Sequence, residues 1–150
     1  MLSLVLLGIW GCTDLGVSCP DGLDCAGECG GSALVDCAGT CNGDAVEDDN
    51  GTCTNISYFE TIQPIFTANC ISCHGGNAGL YLDTYAHVMD GTINGMVIDC
   101  NETTGDCASA TSYLWQRINS GEMPLDPNPN LSPLEISLIA QWINEGALNN

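Results

Sequence analysis

Lysine is absent from these 150 residues, and Arg117 is the only arginine. Against it stand 19 Asp and Glu, for a formal net charge of -18 at pH 7. Such a chain repels phosphate backbones, which excludes nucleic-acid binding. It repels anionic lipid surfaces as well, so any membrane contact needs a lipid or apolar anchor. Aromatic residues are scarce at 6%, although hydrophobic residues reach 45%. A core made from them lacks large rings, and a bound apolar group would supply the missing bulk. The apolar run from Leu2 to Trp10, broken by Ser3 and Gly8, is too short to span a bilayer and reads as the centre of an export signal.

Cysteine is abundant: 11 in all, which points to an oxidising compartment. Ile9-Trp10-Gly11-Cys12 resembles the bacterial lipoprotein cleavage box, and the resemblance implies lipidation of Cys12 as the first mature residue. An ordinary signal peptide cleaved nearby is the alternative, since no basic residue precedes the apolar run. Either way the chain is expected outside the cytoplasm, periplasmic or on the cell surface. Thr13 after Cys12 fits anchorage to the outer membrane.

Three segments follow: 1–12 as the export signal, 13–54 rich in Cys, Gly and Asp, and 55–150 with helical patterns. The middle segment contains an internal repeat. Asp24-Cys25-Ala26-Gly27-Glu28-Cys29 aligns with Asp36-Cys37-Ala38-Gly39-Thr40-Cys41 at an offset of 12 residues. A degraded third copy runs from Asp48 to Cys53, with Asp49 in place of the first cysteine. The segment has too few aliphatic residues for a core, so disulfides must order it, as a spacer or stalk. Setting aside Cys12 and the pair Cys70 and Cys73, Cys100 and Cys107 bracket a polar loop and can pair. Cys19, Cys25, Cys29, Cys37, Cys41 and Cys53 remain, with 15 possible connectivities. Zinc is a rival use of these cysteines. Calcium is another possibility, on Asp44, Asp48, Asp49 and Asn50.

From residue 55 the expectation is an all-α domain. Ser57 and Glu60 form a capping-box pair, and Pro64 breaks or kinks the helix they open. A second short helix should then end near Cys70. Asp83 is expected to cap a helix over Thr84 to Met89, and Gly91 to stop it. Another helix should span Ser112 to Asn119, closed by Gly121. Ser132, Pro133 and Glu135 open the clearest one, with Leu134, Leu138, Ile139, Trp142 and Ile143 as its apolar stripe.

The chemistry centres on Cys70-Ile71-Ser72-Cys73-His74, a C-x-x-C-H attachment motif for haem c. Two thiols one short turn apart can bond the two vinyl groups of one macrocycle, and the following imidazole then lies under the iron. A thioredoxin-like C-x-x-C needs a βαβ context that is missing, and zinc needs a second ligand pair. For the sixth ligand the candidates are Met89, Met96, Met123 and His87. Met123 in Gly121-Glu122-Met123-Pro124 is favoured, because a loop thioether can swing onto the iron and Met/His is a cytochrome c pairing.

With these residues in view, Tyr58 to Ala147 resembles the planctomycete-type domains among monohaem cytochromes c. The stretches that carry the likeness are Ile62-Gln63-Pro64-Ile65-Phe66, Cys70 to Gly75 and Gly79-Leu80-Tyr81-Leu82-Asp83. Ser112-Tyr113-Leu114 with Arg117, Gly121 to Pro124, and Leu131 through Ala147 complete them. The resemblance implies a cytochrome c-like helical domain around one covalent haem, with Met123 as distal ligand. Asp99 to Ala110 reads as an insertion. Arg117, the lone cation, suits the haem carboxylates in bidentate fashion, or else pairs with Glu122 or Glu60.

The functional expectation is a one-electron carrier without an active site of its own, docking on a redox partner through a basic patch of that partner. A ligand sensor or small haem enzyme with a displaceable sixth ligand is the alternative. A haem-free structural module, with Cys70 and Cys73 joined, is the third reading.

Overall fold

The computed structural model describes residues 19, 22–75 and 79–150. The export signal and Cys12 lie outside the described residues. The expectation of an all-α chain behind an irregular segment is overturned. Helix of all kinds accounts for only 35% of the described residues, and the α-helices among it are five and short. A two-stranded antiparallel sheet is also present, β1 (Val46–Glu47) with β2 (Cys53–Thr54). Isolated strand bridges join Leu23 to Cys29, Val35 to Cys41 and Cys100 to Cys107. Strands of two residues carry no alternation to read; their pairing comes from turns and disulfides.

The repeat supplies those turns. In each copy the leading aspartate folds the chain onto its own carboxylate. Asp24 Oδ1 accepts from the backbone N–H of Ala26 and Glu28, at 3.0 and 2.8 Å. Asp36 does the same with Ala38 and Thr40, and Asp48 with Asn50 and Thr52. The glycine three residues on from each aspartate takes a left-handed φ of 80, 89 and 80° (Gly27, Gly39, Gly51), which side chains resist. Three hairpins of one design result, and β1–β2 is the third.

Disulfides tie them in sequence. The first cysteine of one copy bonds the second cysteine of the next: Cys25 to Cys41 and Cys37 to Cys53. Cys19 takes the place of a preceding copy and bonds Cys29. The third copy has no successor, so its first position needs no thiol, and Asp49 stands there. Cys100 and Cys107 are bonded to each other.

The 55–150 region folds as α1 (Gln63–Asn69), α2 (Ile71–His74), α3 (Tyr85–Asp90), α4 (Tyr113–Asn119) and α5 (Pro133–Asn144). A wide turn of π type, Tyr58–Ile62, precedes α1. Ser57 caps it by accepting from Glu60 N, and Pro64 lies in the first turn of α1. Ser132 and Glu135 make both bonds of a capping box. One expected cap moves by a residue. Thr84, not Asp83, caps α3 by accepting from His87 N, because the Asp83 carboxylate is engaged by the His87 ring at 2.6 Å.

Contrary to the expectation of a core without large rings, Trp142, Tyr58 and Phe66, with Ile139, are fully buried at its centre. Each such side chain contributes about 1.5–3 kcal/mol. Tyr58 stacks edge-on against Tyr85 at 5.1 Å and lies tilted against Trp142 at 5.4 Å. The last two hairpins join this core: Ala45 between them is buried, and Cys37 and Ala38 of the second and Cys53 of the third pack against it. Glu145 locks the junction by accepting from the N–H groups of Asn55 and Ile56, at 2.8 and 2.9 Å. No helix among the described residues is long and apolar enough to cross a membrane.

Candidate functional site

Helix α1 ends at Cys70, whose N–H bonds the Phe66 carbonyl at 2.8 Å. The chain turns at once into α2, a single turn carrying Cys73 and His74. His74 N donates to Cys70 O at 2.8 Å, and Leu82 N returns to His74 O at 2.8 Å. The C-x-x-C-H residues thus share one tight turn, pinned on both sides.

A cavity of about 280 Å³ opens beside that turn. Cys70, Cys73 and His74 line one side and Met123 another. Leu80, Leu82, Val97, Leu114 and Ile118 make the rest largely apolar. Nδ1 of His74 is buried with no hydrogen-bond partner. Such orphaned nitrogens are rare in folded proteins and call for an explanation, for which a partner atom outside the chain is one. Nε1 of Trp115 is also buried without a partner, and nothing in the structure explains it.

Among the described cysteines, Cys70 and Cys73 alone remain outside disulfides, and they are not bonded to each other. Cys73 is exposed and Cys70 is half-buried. Burial first, then the charge of Glu135 and the neighbouring Cys73, push the Cys70 thiol up to about 11.

Of the four sixth-ligand candidates, Met123 is the one that lines the cavity. Met89 packs partly buried against the core, Met96 is 50% exposed, and His87 is paired with Asp83. Arg117 lies at the cavity edge, its guanidinium 5.0 Å from the centre of the Tyr113 ring and ion-paired with Glu122. A second, polar cavity of about 540 Å³ adjoins the first. Arg117, Met123, Pro124 and Leu125 border both.

Asp48 spends its carboxylate on two backbone donors. No cluster of three or more His, Cys, Asp or Glu residues suited to a metal ion occurs among the described residues. The cavity walls were not individually legible in sequence, whereas Glu122 was one of the two carboxylates weighed as a partner for Arg117, and it is the one engaged. Comparisons with protein-family models, curated proteins and solved structures find no match.

Proposed function

We propose that this chain is an electron-transfer protein holding one haem c through thioether bonds at Cys70 and Cys73, with His74 and Met123 as axial ligands. The observation that carries the reading is the convergence of these four side chains, from segments about 50 residues apart, on one apolar cavity. The donor set fits the group: two thiols outside any disulfide, an imidazole with a buried unpartnered nitrogen, and a thioether. When bound, the haem would supply reversible one-electron chemistry at an iron whose potential the Met/His pair raises.

The chain's own residues define the conditions around that chemistry. Leu80, Leu82, Val97, Leu114 and Ile118 keep water from the ligand side. The thioether is held by its loop, since Met123 N donates to Arg117 O at 3.1 Å. Arg117 at the cavity edge is ion-paired with Glu122, the alternative weighed against the carboxylates of the group. The two thiols and the imidazole of the wall are all committed to the haem in this reading, which makes it a carrier and not an enzyme. Export, a lipid on Cys12 and a redox partner with a basic patch complete the proposal, the last from the charge of -18.

The test is expression from Cys12 behind a standard export signal together with haem c maturation proteins. Haem that stays attached through denaturation, and a weak long-wavelength band in the oxidised protein, are the expected results. Colourless folded protein overturns the reading. Attached haem that binds carbon monoxide rapidly would replace the carrier with a ligand sensor.

A further inference from the structure

Arg117 holds the following loop at two points. Its carbonyl accepts from Met123 N at 3.1 Å and from Ser120 Oγ at 3.1 Å. Its guanidinium pairs with the carboxylate of Glu122, the residue just before Met123. Gly121 turns the chain off α4 with a φ of 76°, which brings Glu122 back alongside the helix it has just left. The Tyr113 ring, one turn earlier on α4, also packs against the guanidinium. The pairing is selective. Among the described residues, the carboxylate engaged by the one guanidinium is the one next to the cavity methionine.

We propose that Glu122 is a positioning residue for the Met123 thioether: through Arg117 it clamps the Gly121–Leu125 loop onto α4 and keeps the sulfur in the cavity wall. The proposal rests on the reading of Met123 as an iron ligand and adds what holds it there. The backbone bond from Met123 to Arg117 fixes the start of the loop, and the ion pair resists its rotation away from the helix. Both partners are partly exposed, with side chains 40% and 54% accessible. The clamp is therefore of modest strength and sensitive to salt.

The test uses Glu122→Gln, Glu122→Asp and the unaltered full chain, with two readouts. The first is hydrogen exchange at the Met123 amide, which needs no haem. Glu122→Gln should speed it about two- to fivefold, as expected for loss of a partly exposed ion pair. Glu122→Asp should restore most of the protection, and high salt should erase the difference between variants. The second is cyanide affinity of the haem-loaded protein, which should tighten by a similar factor in Glu122→Gln as the thioether yields more readily. Unchanged exchange at Met123 in Glu122→Gln overturns the clamp. Loss of protection without any change in cyanide affinity overturns its action on the ligand. A chain that never acquires haem defeats the functional reading instead, and the exchange measurement still decides whether the clamp exists.

Discussion

Cys37 and Cys53 are bonded across two copies of the repeat, and both pack against the hydrophobic core of the helical region. This bridge is where a chain of hairpins with little core of its own becomes part of the folded body. The other two ladder bonds, Cys25–Cys41 and Cys19–Cys29, lie farther along the same chain of hairpins.

Removal of the core bond should therefore weaken the whole molecule. Closing a loop over 16 residues is worth about 3 kcal/mol. Cys37→Ser with Cys53→Ser should lower the thermal midpoint of the helical region by several degrees, read by circular dichroism. Cys19→Ser with Cys29→Ser should leave that midpoint within about a degree or two. Equal losses from the two pairs would contradict the asymmetry.

Thiol chemistry distinguishes loaded from unloaded protein. In chain made without haem maturation, iodoacetamide at pH 8 should label exposed Cys73 quickly and Cys70 slowly, because the thiolate is the reactive form. Labelling of Cys70 should climb only as the pH approaches about 11. After maturation neither cysteine should react. Rapid labelling of Cys70 at pH 8 would contradict its burial, and labelling of matured protein would contradict thioether attachment.

Exchange of the sulfur ligand for a second imidazole gives a redox prediction. Met123→His should keep both axial positions filled and lower the midpoint potential by on the order of 100 mV, within the wide range that axial ligands set. The long-wavelength band should vanish in the same variant. An unchanged potential would mean that Met123 is not on the iron.

Tyr58 predicts an alkaline limit to stability. Burial, with the Asp83 and Tyr85 groups adding to it, raises its phenol from 10.0 to about 12. The folded protein thus holds this proton more tightly than the unfolded chain does. The associated stability is complete below pH 10 and is lost as the pH rises from 10 to about 12. Denaturant midpoints of the haem-loaded protein should fall over that window, and Tyr58→Phe should flatten the fall. A variant with the same slope would assign the loss to other groups.

The helices that position the cavity were legible because their signals are local. Ser132, Pro133 and Glu135 specify a helix start through bonds within four residues. Gly121 and Gly91 end helices through their own φ. Asp83 misled for an equally local reason, since the His87 ring four residues on takes its carboxylate. The strands were not legible. Val46–Glu47 and Cys53–Thr54 are too short for alternation, and a carboxylate-closed turn sets their pairing. The disulfide order left a trace that spacing alone did not expose: a final copy keeping only its second cysteine implies that each first cysteine bonds forward. The motif residues were legible at once. Met123 was favoured over Met96 from its place in a loop before Pro124, and the fold adds that it lines the cavity beside the motif across 49 residues of chain from His74.

The forward bonding of the hairpins makes chain length a quantity that can change only in whole steps. A thirteenth residue in a copy would misalign the next thiol, whereas an added copy of twelve finds a donor behind it and an acceptor ahead. A side chain in place of Gly31 or Gly43 would strike the aspartate that closes its own turn, a constraint that the third copy, with Asn55 at the same place, does not share. An inserted copy of twelve residues would therefore keep the forward bonding of its neighbours and add one more bond of the same kind.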